Sequence, residues 1–431
     1  MEYFKKNDKV PLRIGGFVTI VDKLGEGGQG VVYKVSMNGK DYALKWYKEK
    51  KCRTQSFYDN IENNIIKGAP SNSFLWPIVV TEWRDGSFGY IMDMRPNLYK
   101  NFSDFLLARA KFTSLSALLN AVLQITYAFR ELHRKGYSYQ DLNDGNFFIN
   151  PQTGDVLICD NDNVAPYGIN LGIGGKSRYM APEVVVGKIK PNDDTDRFSL
   201  SVILFLLLFG NHPLEGKFIA SIPCLTEEFE KRFYGEEAVF IFDPNNDKNR
   251  PVTGIHTNAI KRWPAYPQFI RDEFIFAFSQ ECLKNPHNRK PENEWQKVFV
   301  KLRDKTVKCS CGAETFIDEN IPESICNNCK KKLPKPLFLQ TGKYNVALYP
   351  EQKIYACHTQ AGSDDFKNIT GEVIKNKNNS NLWGVRNLSD SSWILTLPDG
   401  NIKEIKKNEV VPIFKEVNIN FQGGNKGIIV H

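Results

Sequence analysis

Apolar segments of different lengths divide the chain into regions with different expected structures. The longest apolar run covers residues 202–209, which is far too short to span a membrane and predicts a buried helix. Residues 42–46 and 156–158 are shorter runs with the character of strands. After Pro336, short apolar runs alternate with turns rich in Gly, Asn, Asp and Pro, which predicts an all-β module.

The amino-acid composition limits which classes of protein this chain can belong to. The 431 residues are 41% hydrophobic, which is enough for a sizeable core in more than one domain. Residues 1–10 are charged and lack the apolar core of a signal peptide, so we expect a cytoplasmic protein with no membrane attachment. In that compartment the nine cysteines should stay reduced.

A glycine-rich turn precedes a lysine in the first strand-like segment. Gly25, Gly27 and Gly30 let backbone N–H groups approach phosphates closely, since side chains there would collide with a nucleotide. Lys45, within residues 42–46, would hold the α- and β-phosphates of ATP. Alone, such a turn is weak evidence, because connections between strands use glycine freely.

Two acidic motifs follow the lysine. Asp141 and Asn146 have the spacing of a catalytic loop, and Asp160 follows the apolar run 156–158. In phosphoryl transfer, catalysis is mostly positioning and charge neutralisation. Asp141 would accept the proton of the attacking hydroxyl, while Asn146 and Asp160 would hold Mg²⁺ or Mn²⁺ through oxygen ligands. An Asp-rich loop by itself is usually a solvated turn, but the four motifs in this order predict phosphoryl transfer from ATP.

With these motifs, residues 15–305 resemble the eukaryotic-like protein kinase family. Met180-Ala181-Pro182-Glu183 is similar to the family's Ala-Pro-Glu segment, and Arg289 stands where the family has the arginine that pairs with that glutamate. The resemblance implies that Glu62 is the small-lobe helix glutamate that pairs with Lys45. It also implies a protein substrate that accepts phosphate on serine or threonine.

The same resemblance implies where adenine binds. Leu24, Val32 and Ala43 would lie above the ring, Phe148 below it and Met92 at its back. The alternative for each of these side chains is an ordinary place in the core.

Several positions depart from the family pattern. Tyr139-Gln140 replaces His-Arg before the catalytic aspartate, and Asn161 and Asp162 replace the phenylalanine and glycine that usually follow the metal-binding aspartate. Asn143 stands where serine/threonine kinases usually carry a lysine that contacts the γ-phosphate. The missing charge predicts either a slower rate or a substitute cation.

Two functions of different class remain compatible with these departures. An active ATP- and Mg²⁺-dependent serine/threonine kinase is favoured, because every metal and base ligand is present. The alternative is a pseudokinase scaffold that binds nucleotide and recruits partners. The Ala-Pro-Glu segment and its arginine disfavour a third function, phosphotransfer to small molecules.

Four cysteines have the spacing of a zinc ribbon. Cys309 and Cys311 form one knuckle, Cys326 and Cys329 form a second, and fourteen residues separate them. A closed set of four thiolates around Zn²⁺ predicts a structural site. Nucleic-acid contact is conceivable at the surrounding lysines, although a net charge of only +8 favours a solvated face. These lysines are Lys305, Lys308, Lys330, Lys331, Lys332 and Lys335.

The region after the ribbon faintly resembles a forkhead-associated β-sandwich, but the residues with which that family reads phosphothreonine are not apparent. It is therefore interpreted as an interaction or regulatory domain. Its apolar runs include residues 344–348, 392–397 and 427–430. The order of kinase, ribbon and β-domain is similar to bacterial stress kinases of tellurite-resistance-like systems. That similarity implies a metal-dependent protein phosphatase and a von Willebrand factor A-type protein as partners.

Together these observations predict a two-lobed α+β kinase fold followed by a small zinc ribbon and an all-β, sandwich-like domain. The expected boundaries are 1–14 for an N-terminal extension, 15–94 for the small lobe, 95–305 for the large lobe, 306–335 for the ribbon and 336–431 for the β-rich domain.

Overall fold

A computed structural model describes residues 3–172, 175–317, 323–379 and 382–431 of the chain. The chain divides into two compact units. The first unit comprises Met1–Thr113, Asn120–Arg262 and Asp272–Trp295. The second comprises Ser114–Leu119, Trp263–Arg271 and Gln296–His431, so the regions expected to be the ribbon and the β-rich domain belong to one unit.

The helices of the described residues are mostly short. They are α1 (Gln55–Lys67), α2 (Phe102–Leu106), α3 (Leu115–Arg134), α4 (Pro182–Val185), α5 (Asp193–Phe209), α6 (Lys217–Ala220), α7 (Glu227–Glu230), α8 (Thr257–Arg262), α9 (Gln268–Ala277), α10 (Gln280–Lys284), α11 (Glu292–Asp304) and α12 (Ala356–Thr359). Single 3₁₀ turns cover Lys50–Cys52, Asp144–Asn146, Asn161–Asn163, Trp263–Ala265 and Pro286–Asn288, and a π-helical turn covers Lys231–Glu236. None of the described helices is long and apolar enough to cross a bilayer.

The strands lie at both ends of the chain and around the acidic loops. They are β1 (Lys9–Pro11), β2 (Phe17–Glu26), β3 (Gly30–Met37), β4 (Lys40–Tyr47), β5 (Val79–Val80), β6 (Gly89–Asp93), β7 (Lys100–Asn101), β8 (Tyr137–Ser138), β9 (Phe147–Ile149), β10 (Val156–Ile158), β11 (Ala165–Pro166), β12 (Thr306–Lys308), β13 (Glu314–Phe316), β14 (Phe338–Thr341), β15 (Tyr344–Ala347), β16 (Lys353–Tyr355), β17 (Ile369–Lys375), β18 (Trp383–Asn387), β19 (Trp393–Thr396), β20 (Ile402–Ile405), β21 (Val410–Pro412), β22 (Asn418–Asn420) and β23 (Lys426–Val430).

The first unit begins with an antiparallel sheet in the order β1-β2-β3-β4-β6-β5. Val31, Tyr33 and Val35 of β3 are all buried in the core of this sheet. They share one face because side chains two residues apart point to the same side of a strand. Phe4 packs edge-on against the Trp46 ring of β4. The segment expected to be an N-terminal extension therefore supplies an edge strand and a core side chain to this sheet.

The long buried helix predicted from residues 202–209 is α5. An Asn192–Thr195 capping box closes its start, and Gly210 ends it with a φ of +69°, a conformation that glycine adopts without the steric cost of a Cβ. Asp196, in the first turn of α5, is buried and faces the loop that carries Asp141.

His133, near the end of α3, forms side-chain contacts with residues of two other helices. Its Nδ1 lies 2.8 Å from Oε1 of Glu292 on α11, and its Nε2 lies 3.2 Å from Oδ2 of Asp196 on α5. Two carboxylates on opposite ring nitrogens require both N–H groups, so the ring is an imidazolium. Burial lowers the pKa of His133, but the hydrogen bonds and charges of the two carboxylates outweigh it and raise the pKa to about 9.

Unfolding of the chain is therefore expected to depend on pH through His133. Because the folded pKa is raised, the stabilisation is complete below the unfolded pKa of about 6.5 and is lost as the pH rises to about 9, a change of up to about 3 kcal/mol. Denaturant titrations at pH 6 and pH 9 should show this loss for the intact chain and a flatter dependence for His133→Gln. The exposed His287→Gln is the control, and parallel pH curves for all three proteins would contradict the assignment.

The second unit contains the hairpin β12-β13 and two antiparallel sheets, in the orders β15-β14-β23-β22-β19-β20 and β16-β17-β18-β21. Both sheets contribute to one core. At Gly371 of β17 a Cβ would lie only 2.8 Å from the Trp393 ring of β19, so this close approach requires glycine. In the described residues of the C-terminal region, the structure is all-β apart from the helical turn α12. Its core residues are Leu339, Val346, Leu348, Ile354, Val373, Val385, Trp393, Leu395, Ile405, Val411, Val417, Ile419, Phe421 and Ile429.

Candidate active site

The glycine-rich turn connects β2 to β3. The N–H of Gly27 donates to the carbonyl of Gly30 (2.9 Å), which closes the turn. At Gly30 a Cβ would lie 2.2 Å from the Trp46 carbonyl, so glycine is required for pairing with β4. At Gly25 and Gly27 a Cβ would meet no neighbouring atom, so one side of this turn is open for a ligand.

Lys45 occupies the centre of β4 and is 4% exposed. Its Nζ donates to Oδ1 of Asp160 (3.1 Å) and to both carboxylate oxygens of Asp162 (3.0 and 2.8 Å). It also donates to Oε1 of Gln29 in the glycine turn (2.7 Å). The Nε2 of Gln29 in turn donates to Oδ1 of Asn163 (3.1 Å), so the turn is hydrogen-bonded to the segment that carries Asp160.

Asp162 is the buried partner of Lys45. Its side chain is 0% exposed, and it accepts hydrogen bonds from the Tyr47 hydroxyl (2.6 Å) and the Tyr90 hydroxyl (3.5 Å). The sequence identified this position only as the loss of a glycine. An acidic residue two positions after Asp160 is the signal that could have found it.

Glu62 does not form the pair expected from the family resemblance. On α1, Asn60 and Asn64 face the site, since their amides donate to the Val164 carbonyl (2.8 and 2.9 Å). Residues four apart share a helix face, and a residue halfway between them points to the other side. The Glu62 carboxylate accordingly pairs with Arg13 (2.6 Å), so its assignment as the partner of Lys45 is corrected.

Asn161 fixes the segment that carries both aspartates. Its buried side-chain amide donates to the carbonyls of Leu75 (2.8 Å) and Ile158 (2.9 Å). Asp160 has a φ of +52°, an uncommon conformation for a residue with a Cβ, and its carboxylate stays 44% exposed. The carboxylate of Asp160 is therefore held in place while remaining accessible to a cation.

The loop with Asp141 is anchored by α5. Asp196 accepts from the backbone N–H groups of Tyr139 (2.5 Å) and Gln140 (3.0 Å), and Gln140 has a φ of +70°. The Asn146 amide donates to the Asp141 carbonyl (2.9 Å), which leaves its oxygen for another partner. Burial and the nearby charge of Asp160 raise the pKa of Asp141 to about 6, against the opposing effects of Asn143, Lys176 and Lys45.

The residues expected to bind metal lie on adjacent segments. The N–H of Cys159 donates to the carbonyl of Asn146 (2.8 Å), so Asp160 follows directly on a contact with Asn146. An amide oxygen and an accessible carboxylate are the hard oxygen ligands that Mg²⁺ prefers, so the donor set fits this ion.

The residues expected around adenine are only partly brought together. Ala43 and Met92 are paired across β4 and β6, and Val32 packs against the same cluster. Leu24 lies on β2 and is 48% exposed. Phe148 on β9 is half-buried, and the Arg95 guanidinium lies 3.9 Å above its ring.

Comparison with known proteins relates this region to one family of enzymes. Residues 18–228 match the model of the protein kinase domain. This segment is similar to protein kinase domains. The chain is 27% identical over 49% of its length to the carbon catabolite-derepressing protein kinase of Candida tropicalis, of which it covers 34%.

Other relatives are similar over comparable or shorter stretches. The chain is 26% identical over 51% of its length to sucrose non-fermenting protein kinase 1 of Fusarium virguliforme, covering 31% of it. It is 28% identical over 29% of its length to the probable serine/threonine-protein kinase CCRP1 of Zea mays, covering 20% of it. The chain therefore spans about a third or less of these curated relatives, and the likeness supports the serine/threonine class for the kinase domain.

The expected ion pair of the Ala-Pro-Glu segment is present in the first unit. Arg289 is 5% exposed and binds both carboxylate oxygens of Glu183 (2.7 and 2.8 Å). Such a two-pronged pair fixes the end of the activation segment against the start of α5, where Arg289 also donates to the Asp194 carbonyl (3.0 Å).

In the second unit, the four cysteines of the expected ribbon come together. Their sulfurs all lie within 4.8 Å of one another, with 3.7 Å between Cys309 and Cys329 and between Cys311 and Cys326. Zinc–sulfur bonds of about 2.3 Å in a tetrahedron place sulfurs about 3.8 Å apart, so the cluster is compatible with Zn²⁺. Gly312 supplies the turn after the first pair with a φ of +86°.

Three of the six lysines around this cluster are paired or buried, while Lys330, Lys331 and Lys335 are exposed. Lys308 pairs with Glu351 (2.9 Å) and Lys332 pairs with Glu323 (2.6 Å). Lys305 is buried. The contacts of Lys305, Lys308 and Lys332 therefore reduce the basic surface that was expected here.

Proposed function

We propose that this protein is an ATP- and Mg²⁺-dependent protein kinase that transfers the γ-phosphoryl group of ATP to serine or threonine of a protein partner. The observation that carries the proposal is a continuous set of contacts that joins the predicted residues. Lys45 contacts Asp160, Asn146 is bonded to Asp141, and Asn163 donates to the Asp141 carboxylate (3.5 Å).

Each residue has a role that follows from its contacts. Lys45, already oriented by Asp162, would bind the α- and β-phosphates, and the backbone of the glycine turn would cover them. Asp160 and the free oxygen of Asn146 would hold Mg²⁺, which when bound neutralises the charge of the phosphates. Asp141 would orient the acceptor hydroxyl and take its proton.

The glycine turn must adjust when ATP binds. In the structure, Oε1 of Gln29 occupies a hydrogen-bonding position on the Lys45 ammonium. A phosphate oxygen carries more charge than an amide oxygen and would replace it there. Binding of ATP would therefore exchange the Gln29 contacts for contacts between the turn and the phosphates.

The acceptor would approach Asp141 from a shallow depression beside the catalytic loop. This depression is lined by the loop and by the activation segment, including Gln140, Asp141, Gly175, Lys176 and Tyr179. The position of this depression beside Asp141 supports delivery of the acceptor hydroxyl from outside the catalytic loop.

The second unit would recruit binding partners and would not take part in phosphoryl transfer. The four-cysteine cluster would hold a structural Zn²⁺, and because thiolates bind zinc only when reduced, a cytoplasmic location belongs to the proposal. The β-rich domain would recruit the substrate. The resemblance to stress kinases extends the proposal to stress signalling with a metal-dependent protein phosphatase and a von Willebrand factor A-type protein as partners.

The test is transfer of labelled phosphate from ATP with Mg²⁺ or Mn²⁺ to the chain itself and to a generic basic protein. Incorporation is expected with the intact chain and with Asp59→Ala, an exposed aspartate on α1. It is expected to disappear with Asp141→Ala. If ATP raises the unfolding temperature of the intact chain but no phosphate is transferred, the kinase proposal fails and a nucleotide-binding scaffold replaces it.

A further inference from the structure

In the part of the chain that the structure describes, two lysines form ion pairs with carboxylates in or beside the catalytic loop. Lys45 is engaged on the phosphate side by Asp160 and Asp162. Lys176, from the activation segment, lies 3.6 Å from Asp144 in the loop. Charge spreads over the three equatorial oxygens of a transferring phosphoryl group, so a cation beside the catalytic base stabilises that state.

Asn143 links Lys176 to the catalytic base. Its Nδ2 donates to the carbonyl and to Oδ1 of Asp141 (both 3.1 Å). Its Oδ1 accepts from the N–H of Gly145 (3.0 Å) and from Nζ of Lys176 (3.0 Å). The Asn143 side chain therefore bridges the Lys176 ammonium and the Asp141 carboxylate. Asn143 is also the position at which serine/threonine kinases usually have a lysine, so the Lys176 ammonium lies beside the place of that missing charge.

The activation segment holds this ammonium close without burying it. At Gly175 a Cβ would lie 3.2 Å from Oδ1 of Asp141, so the backbone next to Lys176 lies against the base. The Lys176 side chain is 59% exposed and lines the depression through which an acceptor would approach. Its ammonium contacts the uncharged Asn143 amide at 3.0 Å and the Asp144 carboxylate only at 3.6 Å, and in this exposed position it can turn toward a phosphoryl oxygen.

We propose that Lys176 is a catalytic residue of the kinase domain, which supplies from the activation segment the positive charge that Asn143 does not supply from the catalytic loop. This inference rests on the proposed function and deepens it. Lys176 would contact a non-bridging oxygen of the γ-phosphoryl group while that group is in transfer.

The transfer itself is balanced without a further reactant. The acceptor oxygen forms a bond to the γ-phosphorus, and the bond from that phosphorus to the β–γ bridging oxygen breaks. ADP leaves with the electron pair, and the proton of the acceptor hydroxyl passes to Asp141. Lys176 keeps its own protons and acts through charge and hydrogen bonding.

Steady-state kinetics of the full chain test the proposal. Lys176→Met is expected to lower kcat about 100-fold while leaving the KM for ATP within about threefold, because the charge acts mainly in the transition state. Lys176→Arg is expected to keep most of the activity. Lys190→Met, which removes an exposed lysine after the activation segment, is the control and is expected to match the intact chain.

A charge swap separates catalysis from a structural role. The double variant Asn143→Lys with Lys176→Asn returns the cation to the loop and is expected to be at least about tenfold more active than Lys176→Met. An unfolding midpoint equal to that of the intact chain would show that the single variant is folded, as the exposure of Lys176 leads us to expect.

The outcomes discriminate between the two proposals. If the intact chain transfers phosphate but Lys176→Met keeps its kcat, or loses only affinity for ATP, the role of Lys176 is overturned and the kinase function stands. If neither Lys176→Arg nor the swap recovers activity, Lys176 is a structural residue and the inference fails. If the intact chain transfers nothing, the proposed function itself fails.

Discussion

Replacing Asp162 by Asn is expected to slow phosphoryl transfer about 100-fold and to lower the free energy of unfolding by about 3 kcal/mol. The change keeps the shape of the side chain but removes the charge that holds the Lys45 ammonium at 2.8 Å in a fully buried position. The Tyr47 hydroxyl also loses a charged acceptor. The measurements are the transfer assay and denaturant unfolding of the full chain.

Glu62→Gln is the matched control for this prediction. Glu62 pairs with Arg13, whose side chain is exposed, so the loss of this ion pair should change the free energy of unfolding little and leave the transfer rate unchanged. A double-mutant cycle of unfolding free energies between Asp162→Asn and Lys45→Met should show coupling, whereas the cycle with Glu62→Gln should be additive. If Glu62→Gln slowed phosphoryl transfer and Asp162→Asn did not, the result would support the pair of Lys45 and Glu62 that was expected from the sequence.

Removing one sulfur ligand is expected to abolish zinc binding and destabilise the second unit. Cys326 is 0% exposed within the four-cysteine cluster. Structural zinc sites contribute about 10 kcal/mol or more of binding free energy, and little of this survives the loss of a thiolate ligand. Metal analysis after dialysis should find about one zinc per intact chain and almost none in Cys326→Ser.

The exposed Cys224, which lies outside the cluster, provides the control for loss of a thiol. Cys224→Ser should retain zinc and unfold at the same denaturant concentration as the intact chain. A chelator should lower the stability of the intact chain and of Cys224→Ser but not that of Cys326→Ser. An intact chain isolated without zinc, or a Cys326→Ser variant that keeps it, would contradict the zinc proposal.

Short apolar runs in the sequence predicted one helix and three strands of the fold. The run at 202–209 is the buried part of α5, and the runs at 344–348, 392–397 and 427–430 contain or overlap β15, β19 and β23. Burial alternates with a two-residue period in β19 and β23, whereas Val346 and Ala347 of β15 are both buried. The short apolar runs and the turn residues between them were the signal in the sequence. The pairing order of the two C-terminal sheets depends on long-range contacts that no local pattern specifies.

The positions of the candidate site residues were predictable where these residues lie close together in the sequence. Asp141 and Asn146 lie in one short loop, and only Cys159 separates Asp160 from the end of β10. Glu62 was misassigned because its role depends on which face of α1 meets the site, and Asn60 and Asn64 occupy that face. Asp162 was missed because its burial depends on hydroxyl groups from two strands that are distant in sequence.

The two hydrogen bonds of Asn161 have a pharmacological consequence. Displacing the segment Asn161–Asn163 would leave the Leu75 and Ile158 carbonyls without this donor and would separate Asp162 from Lys45. Each buried polar group that is left unpaired costs about 1–3 kcal/mol, and more if it is charged. Compounds that need this segment to swing out of place should therefore bind poorly, whereas compounds that only fill the space beside Ala43 and Met92 face no such cost.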